Sequence, residues 1–153
     1  MDSMLITKNR KALHDHEIIE KFFAGLVLKG YEVKAIKEGQ ANLEGSYVRV
    51  VEGVPLVVNM YIGKYSKQSR GFDEFDARRD RILLLNKSEI GKLIRETTQK
   101  GRTAVPLAIV LQNGRLKLEF AVVKGRKEFE KKQVAKDRQI QKDLAKEAKE
   151  LRN

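Results

Sequence analysis

The chain has 153 residues, with 32 Lys or Arg against 21 Asp or Glu for a formal net charge of +11. That length suits one domain with a real core plus one appendage, and so basic a balance points to a polyanionic partner, nucleic acid before an acidic lipid surface. The absence of Cys excludes disulfides, zinc–thiolate sites and thiol nucleophiles, and no apolar run approaches the roughly 18 residues that a membrane helix needs.

In chain order, the start "MDSMLITKNRKALHDHE" has no apolar h-region, so it does not read as a secretory signal and a cytoplasmic location is expected. Its "KNRK" arm (Lys8, Asn9, Arg10, Lys11) offers three cations and an amide. "HDHEIIEKFF" then predicts a short helix capped by Asp15, with Ile18, Ile19 and Phe22 on its apolar side and Gly25 ending it. "LVLKGYEVKAI" predicts a strand interrupted at Gly30 by a bulge or bend, and "SYVRVVEGVPLVVNMYI" a hairpin turning near Glu52-Gly53, with Pro55 at an edge or strand start.

From Gly63 to Asp80, "GKYSKQSRGFDEFDARRD" is long for a loop, and such loops are usually functional or disordered. The "RRDR" cluster (Arg78, Arg79, Arg81) stands at its mouth, where arginine's planar fork suits bidentate phosphate contacts. "NKSEIGKLIRETTQKG" predicts a helix with an Asn86/Glu89 capping box, an apolar stripe of Ile90, Leu93 and Ile94, and a terminal Gly101. "AVPLAIVLQNGRLKLEFAVV" places Asn113-Gly114 between two alternating runs, the pairing a type I′ hairpin turn prefers. In its second arm Leu116, Leu118, Phe120 and Val122 face one way and Arg115, Lys117 and Glu119 the other.

The last thirty residues, "KGRKEFEKKQVAKDRQIQKDLAKEAKELRN", hold eleven Lys or Arg against six Asp or Glu, with no Pro and no Gly after Gly125. On a wheel of about 100° per residue, Phe129, Ile140, Leu144 and Leu151 form a thin apolar stripe. Lys127, Lys131, Arg138, Lys142, Lys146 and Lys149 collect opposite it. This is either an amphipathic helix docked on its own body or a tail that is disordered when free and folds against RNA.

Five or six short strands, two short helices and strong bends therefore predict a mainly β fold with short helices. The expected form is an OB-like small antiparallel β-barrel over residues 1–124, followed by a basic C-terminal tail over 125–153, disordered or helical. The catalytic inventory is poor. His14 and His16 flank Asp15, but without further ligands they read as polar neighbours of a helix cap, and neither phosphate-loop fingerprint is present. No catalytic residue, metal or cofactor is expected. Two basic clusters, a basic strand face and a basic tail favour RNA binding, with Tyr31, Tyr47, Tyr61 and Tyr65 able to stack bases or to serve as half-buried packing.

Four stretches carry a resemblance to one family, the SsrA-binding proteins (SmpB), protein partners of transfer-messenger RNA in ribosome rescue. "KNRKALHD" resembles the family's Lys-Asn-Arg-Lys-Ala-x-His-Asp opening. "GYEVKAIKEGQANLEGSY" is similar to its Gly-x-Glu-Val-Lys block with the following Ala-Asn-Leu and Ser-Tyr. "DARRDRILLLNKSEIGKL" follows its Arg-Arg-x-Arg, triple-Leu and helix-start pattern, and "KGRTAVPLAIVLQNGRLKLEFAVVKGRK" its last hairpin. The order is kept from about Ile6 into the tail.

The resemblance implies an adapter, not an enzyme, that grips the tRNA-like domain of transfer-messenger RNA and delivers it to stalled ribosomes as a monomer. By it, Asn9, Arg10, Lys11, Lys34, Lys117 and Lys124 lie on or near the RNA-binding surface, joined by Lys8, Arg79 and Arg81 from the two basic clusters. Gly125, Arg126, Lys127, Phe129, Lys131 and Lys132 would meet the small-subunit decoding region, with Arg138, Lys142 and Lys146 in the emptied mRNA channel. The chain departs from the family pattern at Phe23, usually Glu; at His16, usually Tyr; at "FEKK" (Phe129 to Lys132), usually Tyr-Asp-Lys-Arg; and at "DARR", usually begun Asp-Pro. Two other readings stay open: a basic OB-type translation protein that binds ribosomal RNA or tRNA, and a metal-dependent nuclease built on His14, His16 and nearby carboxylates.

Overall fold

Asn113 and Gly114 adopt φ of 51° and 77°, the doubly left-handed turn that joins two long strands, β8 (Arg102–Gln112) and β9 (Arg115–Gly125). Glu52 and Gly53 repeat it at 50° and 80° between β4 (Tyr47–Val51) and β5 (Val54–Val58). The computed structural model describes residues 3–68, 74–125 and 128–151, with side chains for all of these except 74–75, 128–134 and 148–151. Around the two hairpins stand β1 (Ser3–Lys8), β2 (His16–Leu26), β3 (Ala41–Asn42), β6 (Tyr61–Ile62) and β7 (Arg81–Leu84). The helices are α1 (Arg10–Asp15), α2 (Gly30–Lys37), α3 (Glu74–Ala77), α4 (Lys87–Thr97) and α5 (Glu128–Leu151).

The fold is thus mainly β with short helices, apart from α5. Seven strands form one antiparallel sheet in the order β1-β8-β4-β5-β7-β2-β9, and β9 pairs back onto β8. From β8 through β4, β5, β7, β2 and β9 the ladder therefore returns to its first strand, with β1 added along β8. β3 and β6 form a separate two-stranded ladder. Pro55 sits at the start of β5, before the β7 ladder begins at Leu56, so its missing N–H removes nothing from that ladder.

Two segments differ from the sequence reading. The expected helix over 14–23 is the start of β2, and the helix lies earlier, at α1, capped by the Asn9 side chain in place of Asp15. A bulge between Ile18 and Glu20 explains why the apolar pattern looked helical. Before it, Ile18 opposes Val123 and packs under α1 with Ala12, Val105, Leu107 and Ala121. After it, Phe22 opposes Phe120 inside the main core, the two rings stacked at 5.2 Å. Apolar residues that change side at a bulge mimic helical spacing.

The expected strand over 26–36 ends at Leu26, and α2 follows. Its N-terminus is fixed by the Lys29 N–H donating to Glu32 Oε1 at 2.8 Å. Glu32, Ala35 and Ile36 are buried at helical spacing, a period that the glycine at position 30 masked. The long loop contains α3, and its residues 69–73 lie outside the described ones.

α4 has the expected capping box, with Glu89 N–H donating to Asn86 Oδ1 at 2.8 Å and Asn86 N–H to Glu89 Oε1 at 3.1 Å. Leu93 is its buried anchor, while Ile94 is exposed. α5 is one continuous helix that approaches α1, and every described side chain from 135 to 147 is exposed, Ile140 and Leu144 among them. Over that stretch the helix is not docked on its own body.

Candidate nucleic-acid interface

Strand register assembles an outer face that no single stretch of sequence displays. Lys8 on β1 opposes Ala108 on β8, Ala108 opposes Glu119 on β9, and Glu119 opposes Phe23 on β2. The next row runs Leu5, Val110, Lys117, Gly25 and, on β7, Leu84. Directly opposed residues share one side of a sheet, so both rows turn away from the core that Phe22, Leu118 and Phe120 fill on the other side. Lys8 and Lys21 line one groove with Glu119, and the Lys21 ammonium lies 3.5 Å from that carboxylate.

Apolar side chains stand open on this face. Leu84 is 59% exposed, Leu5 57% and Phe23 53%, with Ile82 beside them on β7. At Gly25 a Cβ would come within 3.2 Å of Leu84, so the glycine lets the Leu84 side chain lie close over the strand. Arg115, Lys117 and Leu84 rim a cleft of about 420 Å³ floored by Leu26, Leu28 and Val33. A sheet face carrying cations around an exposed aromatic ring is chemically a surface for phosphates and bases. Lys117 was legible from strand alternation. Phe23 was not, because the helix expected there hid that Phe22 and Phe23, as strand neighbours, must face opposite ways.

The arm contributes cations beside this face. Lys8, Arg10 and Lys11 are exposed, and Lys11 sits 3.7 Å from Glu44, an open pair of little energetic weight. Lys11, His16, Tyr47 and Arg78 line a cleft of about 770 Å³ between α1 and the turn before β4. His16 Nδ1 lies 2.9 Å from the Ala12 carbonyl, while His14 Nδ1 lies 3.0 Å from Asp15. Among the described residues, no group of three or more His, Asp or Glu could hold a metal ion.

Two expected contact residues are structural instead. Asn9 is 4% exposed, and its Nδ2 donates to the carbonyls of Leu43 and Pro106 at 3.2 and 3.0 Å while its Oδ1 caps Ala12 N–H at 3.2 Å. The side chain ties arm to sheet and has nothing left for RNA. Arg81 is fully buried. Its Nε donates to Glu32 at 2.8 Å, Nη1 to the Met60 carbonyl, and Nη2 to the Asp76 and Ala77 carbonyls at 3.1 Å, which ends α3.

Burial of Arg81 lowers its pKa, and the Glu32 charge opposes that shift. Burial alone would raise the Glu32 pKa. The hydrogen bonds from Arg79 and from the Lys29 N–H, with the Arg81 charge, outweigh burial and hold it below the usual carboxylate value. Arg79 is committed to the same carboxylate and is only partly exposed, which leaves Arg78 as the exposed arginine of the cluster.

Lys34 is exposed on α2, and Lys124 and Gly125 are exposed at the end of β9, where Gly125 opposes His16. Arg126 and Lys127 lie outside the described residues, as do the side chains of Phe129, Lys131 and Lys132 on α5. Arg138, Lys142 and Lys146 are exposed at four-residue spacing along one flank of α5.

Comparison with known proteins covers the same extent. A family model described as "SmpB protein" matches residues 6–150. The SsrA-binding protein of Persephonella marina is 41% identical over 149 residues, 97% of each chain. That of Coprothermobacter proteolyticus is 42% identical over 146 residues, 95% of this chain and 97% of the relative. Among solved structures, a chain from "tmRNA-SmpB: a journey to the center of the bacterial ribosome" superposes with a TM-score of 0.68 at 38% identity, covering 82% of this chain and 87% of that one.

Proposed function

The chain belongs to the SmpB family of SsrA-binding proteins, and from that membership we propose that it is a non-enzymatic RNA-binding adapter of the cytoplasm. It binds the tRNA-like domain of transfer-messenger RNA and delivers it to stalled ribosomes, where the message has run out. The names its relatives carry and the tmRNA-SmpB structure it resembles support this reading. The observation that carries it for this chain is the outer face, where Lys8, Lys21, Arg115 and Lys117 surround Phe23 and Leu84 on consecutive strands.

Within this reading, residues 1–124 form an OB-like barrel, for which the returning ladder is the support. Residues 125–153 form the tail. Lys8, Arg10, Lys11, Lys117 and Lys124 neutralise phosphates of the tRNA-like domain, Lys34 on α2 meets RNA from another side of the body, and Asn9, Arg79 and Arg81 hold the surface in shape. Gly125, Arg126, Lys127, Phe129, Lys131 and Lys132 meet the decoding region, and Arg138, Lys142 and Lys146 follow the channel.

Filter binding of the tRNA-like domain across a salt series tests the body. Each phosphate contact contributes roughly 0.7–0.9 to the slope of log K against log salt, so neutralising Arg10, Lys11 and Lys117 together lowers the slope by about 2 to 3. An unchanged slope places the RNA elsewhere on the protein.

A further inference from the structure

Three of the four tyrosines lie under a cation, and their rings stand on α2, on β6 and on the segment that follows β6. Lys29 Nζ is 5.8 Å from the Tyr31 ring centre, Lys34 Nζ 5.4 Å from that of Tyr65, and the Arg78 guanidinium 5.2 Å from that of Tyr61. α2 turns Glu32, Ala35 and Ile36 inward, which leaves Lys34 and Lys37 on its open flank beside half-buried Tyr31.

The segment with the other two rings is fastened alongside α2. Gly63 N–H donates to the Gln40 carbonyl at 2.7 Å, and Ser66 donates to the Glu38 carboxylate from its hydroxyl at 2.7 Å and its N–H at 3.2 Å. Tyr61 is held by its ladder to Asn42. Lys64 and Lys67 are exposed on the same segment. The two carboxylates of α2 and its cap are already engaged, Glu32 with Arg79 and Arg81 and Glu38 with Ser66. None of these residues belongs to the strand rows that carry Lys8, Phe23 and Lys117.

We propose that this side is a second RNA contact, one that takes an unpaired stretch of nucleotides, with bases stacked on Tyr61 and Tyr65 and phosphates met by Lys34, Lys37 and Arg78. It rests on the reading of the protein as an RNA binder and adds the form of RNA recognised. A cation over a half-exposed ring is loosely held, so a base can take the ring face while the cation moves to the adjoining phosphate. A duplex hides the faces of its bases and would use the cations alone, which gives the rings no part. Two rings fixed in place beforehand lose little freedom when a strand binds.

The test is fluorescence anisotropy of the full chain with two labelled probes, an oligouridine of about twelve nucleotides, within the length a single OB-type module accommodates, and a blunt RNA hairpin closed by a compact, internally stacked tetraloop as the duplex control. Tyr61→Leu with Tyr65→Leu is expected to weaken oligouridine binding by roughly 30-fold or more and to leave hairpin binding within about twofold. Tyr61→Phe with Tyr65→Phe restores the oligouridine affinity, because the ring and not the hydroxyl does the stacking.

Leu variants that hold oligouridine as tightly as the parent overturn the proposal, as does a Phe pair as weak as the Leu pair. Should the Leu pair not fold, photocrosslinking of the parent to 4-thiouridine oligomers decides: adducts at Tyr61 or Tyr65 support the contact, and adducts confined to β2, β7 and β9 refute it. Failure here is distinct from failure of the adapter reading, in which the parent would not bind the tRNA-like domain at all.

Discussion

Glu32 is a buried charge, 2% exposed, that ties several parts of the body together. Its carboxylate receives Arg81, Arg79 and the N–H of Lys29, the residue that caps α2, so one side chain joins α2 to the root of the long loop and, through Arg81, to α3 and to Met60 between β5 and β6. Glu32→Gln leaves Arg81 buried and unpaired, and urea denaturation at neutral pH is expected to give a loss of about 3–5 kcal/mol. The pH dependence has a definite sign. The folded pKa is held low, so the stabilisation is present above the unfolded value of about 4.3 and is lost as pH falls through the lower folded one. The gap between parent and variant therefore narrows below about pH 4, and a gap that stays constant would sink this assignment. Asn9 makes the complementary case. Asn9→Ala removes a cap and the two bonds from Nδ2 to the Leu43 and Pro106 carbonyls, for a loss of about 1–3 kcal/mol, while the salt slope of RNA binding stays at the parental value because no phosphate contact is lost. Sequence alone made both Asn9 and Arg81 look like surface groups. Nothing near Arg81 in the chain announces a carboxylate 49 residues away.

Elements whose identity is decided locally were legible, and those decided by distant partners were not. The Asn113-Gly114 hairpin and α4 follow from turn chemistry and a capping box, interactions that span a few residues. β2 could not be read this way. It is a strand because β9 and β7 pair with it, and its bulge switches Ile18 and Phe22 between two clusters of core that the sequence does not separate. That error concealed the candidate interface, since Phe23 and Gly25 mean nothing on a helix and belong to a binding face on a strand. Phe23→Ala tests the element in its corrected form. A side chain 53% exposed supports little of the core, so the melting temperature should hold within about 2 °C, which for a domain of this size corresponds to roughly 0.5 kcal/mol. Affinity for the tRNA-like domain should fall about 5- to 100-fold, the range for removing one stacking platform. A large drop in melting temperature with unchanged affinity would return Phe23 to a packing role.

At the scale of the whole molecule, the described stretch of α5 from 135 to 147 gains almost nothing from the body. Its residues are exposed, and Ile140 and Leu144 are 48% and 60% open to solvent. An isolated helix of mixed charge is marginal in water, so a partner that covers its flanks is expected to stabilise α5. Its 24 residues reach on the order of 36 Å, with Arg138, Lys142 and Lys146 exposed in file along one flank. Two paired variants separate helicity from charge. Ile140→Pro with Leu144→Pro breaks the helix, at about 3 kcal/mol per proline, and touches no buried contact. Lys142→Glu with Lys146→Glu keeps the helix and reverses the sign of its cationic flank. Both are expected to leave the melting temperature and the affinity for the tRNA-like domain at parental values, and both to abolish release of stalled ribosomes in a reconstituted assay. Rescue by the proline pair alone would mean that the tail acts through charge without helical form. Parental rates from both pairs would remove the tail from the mechanism and leave the outer face of the body to do the whole of the work.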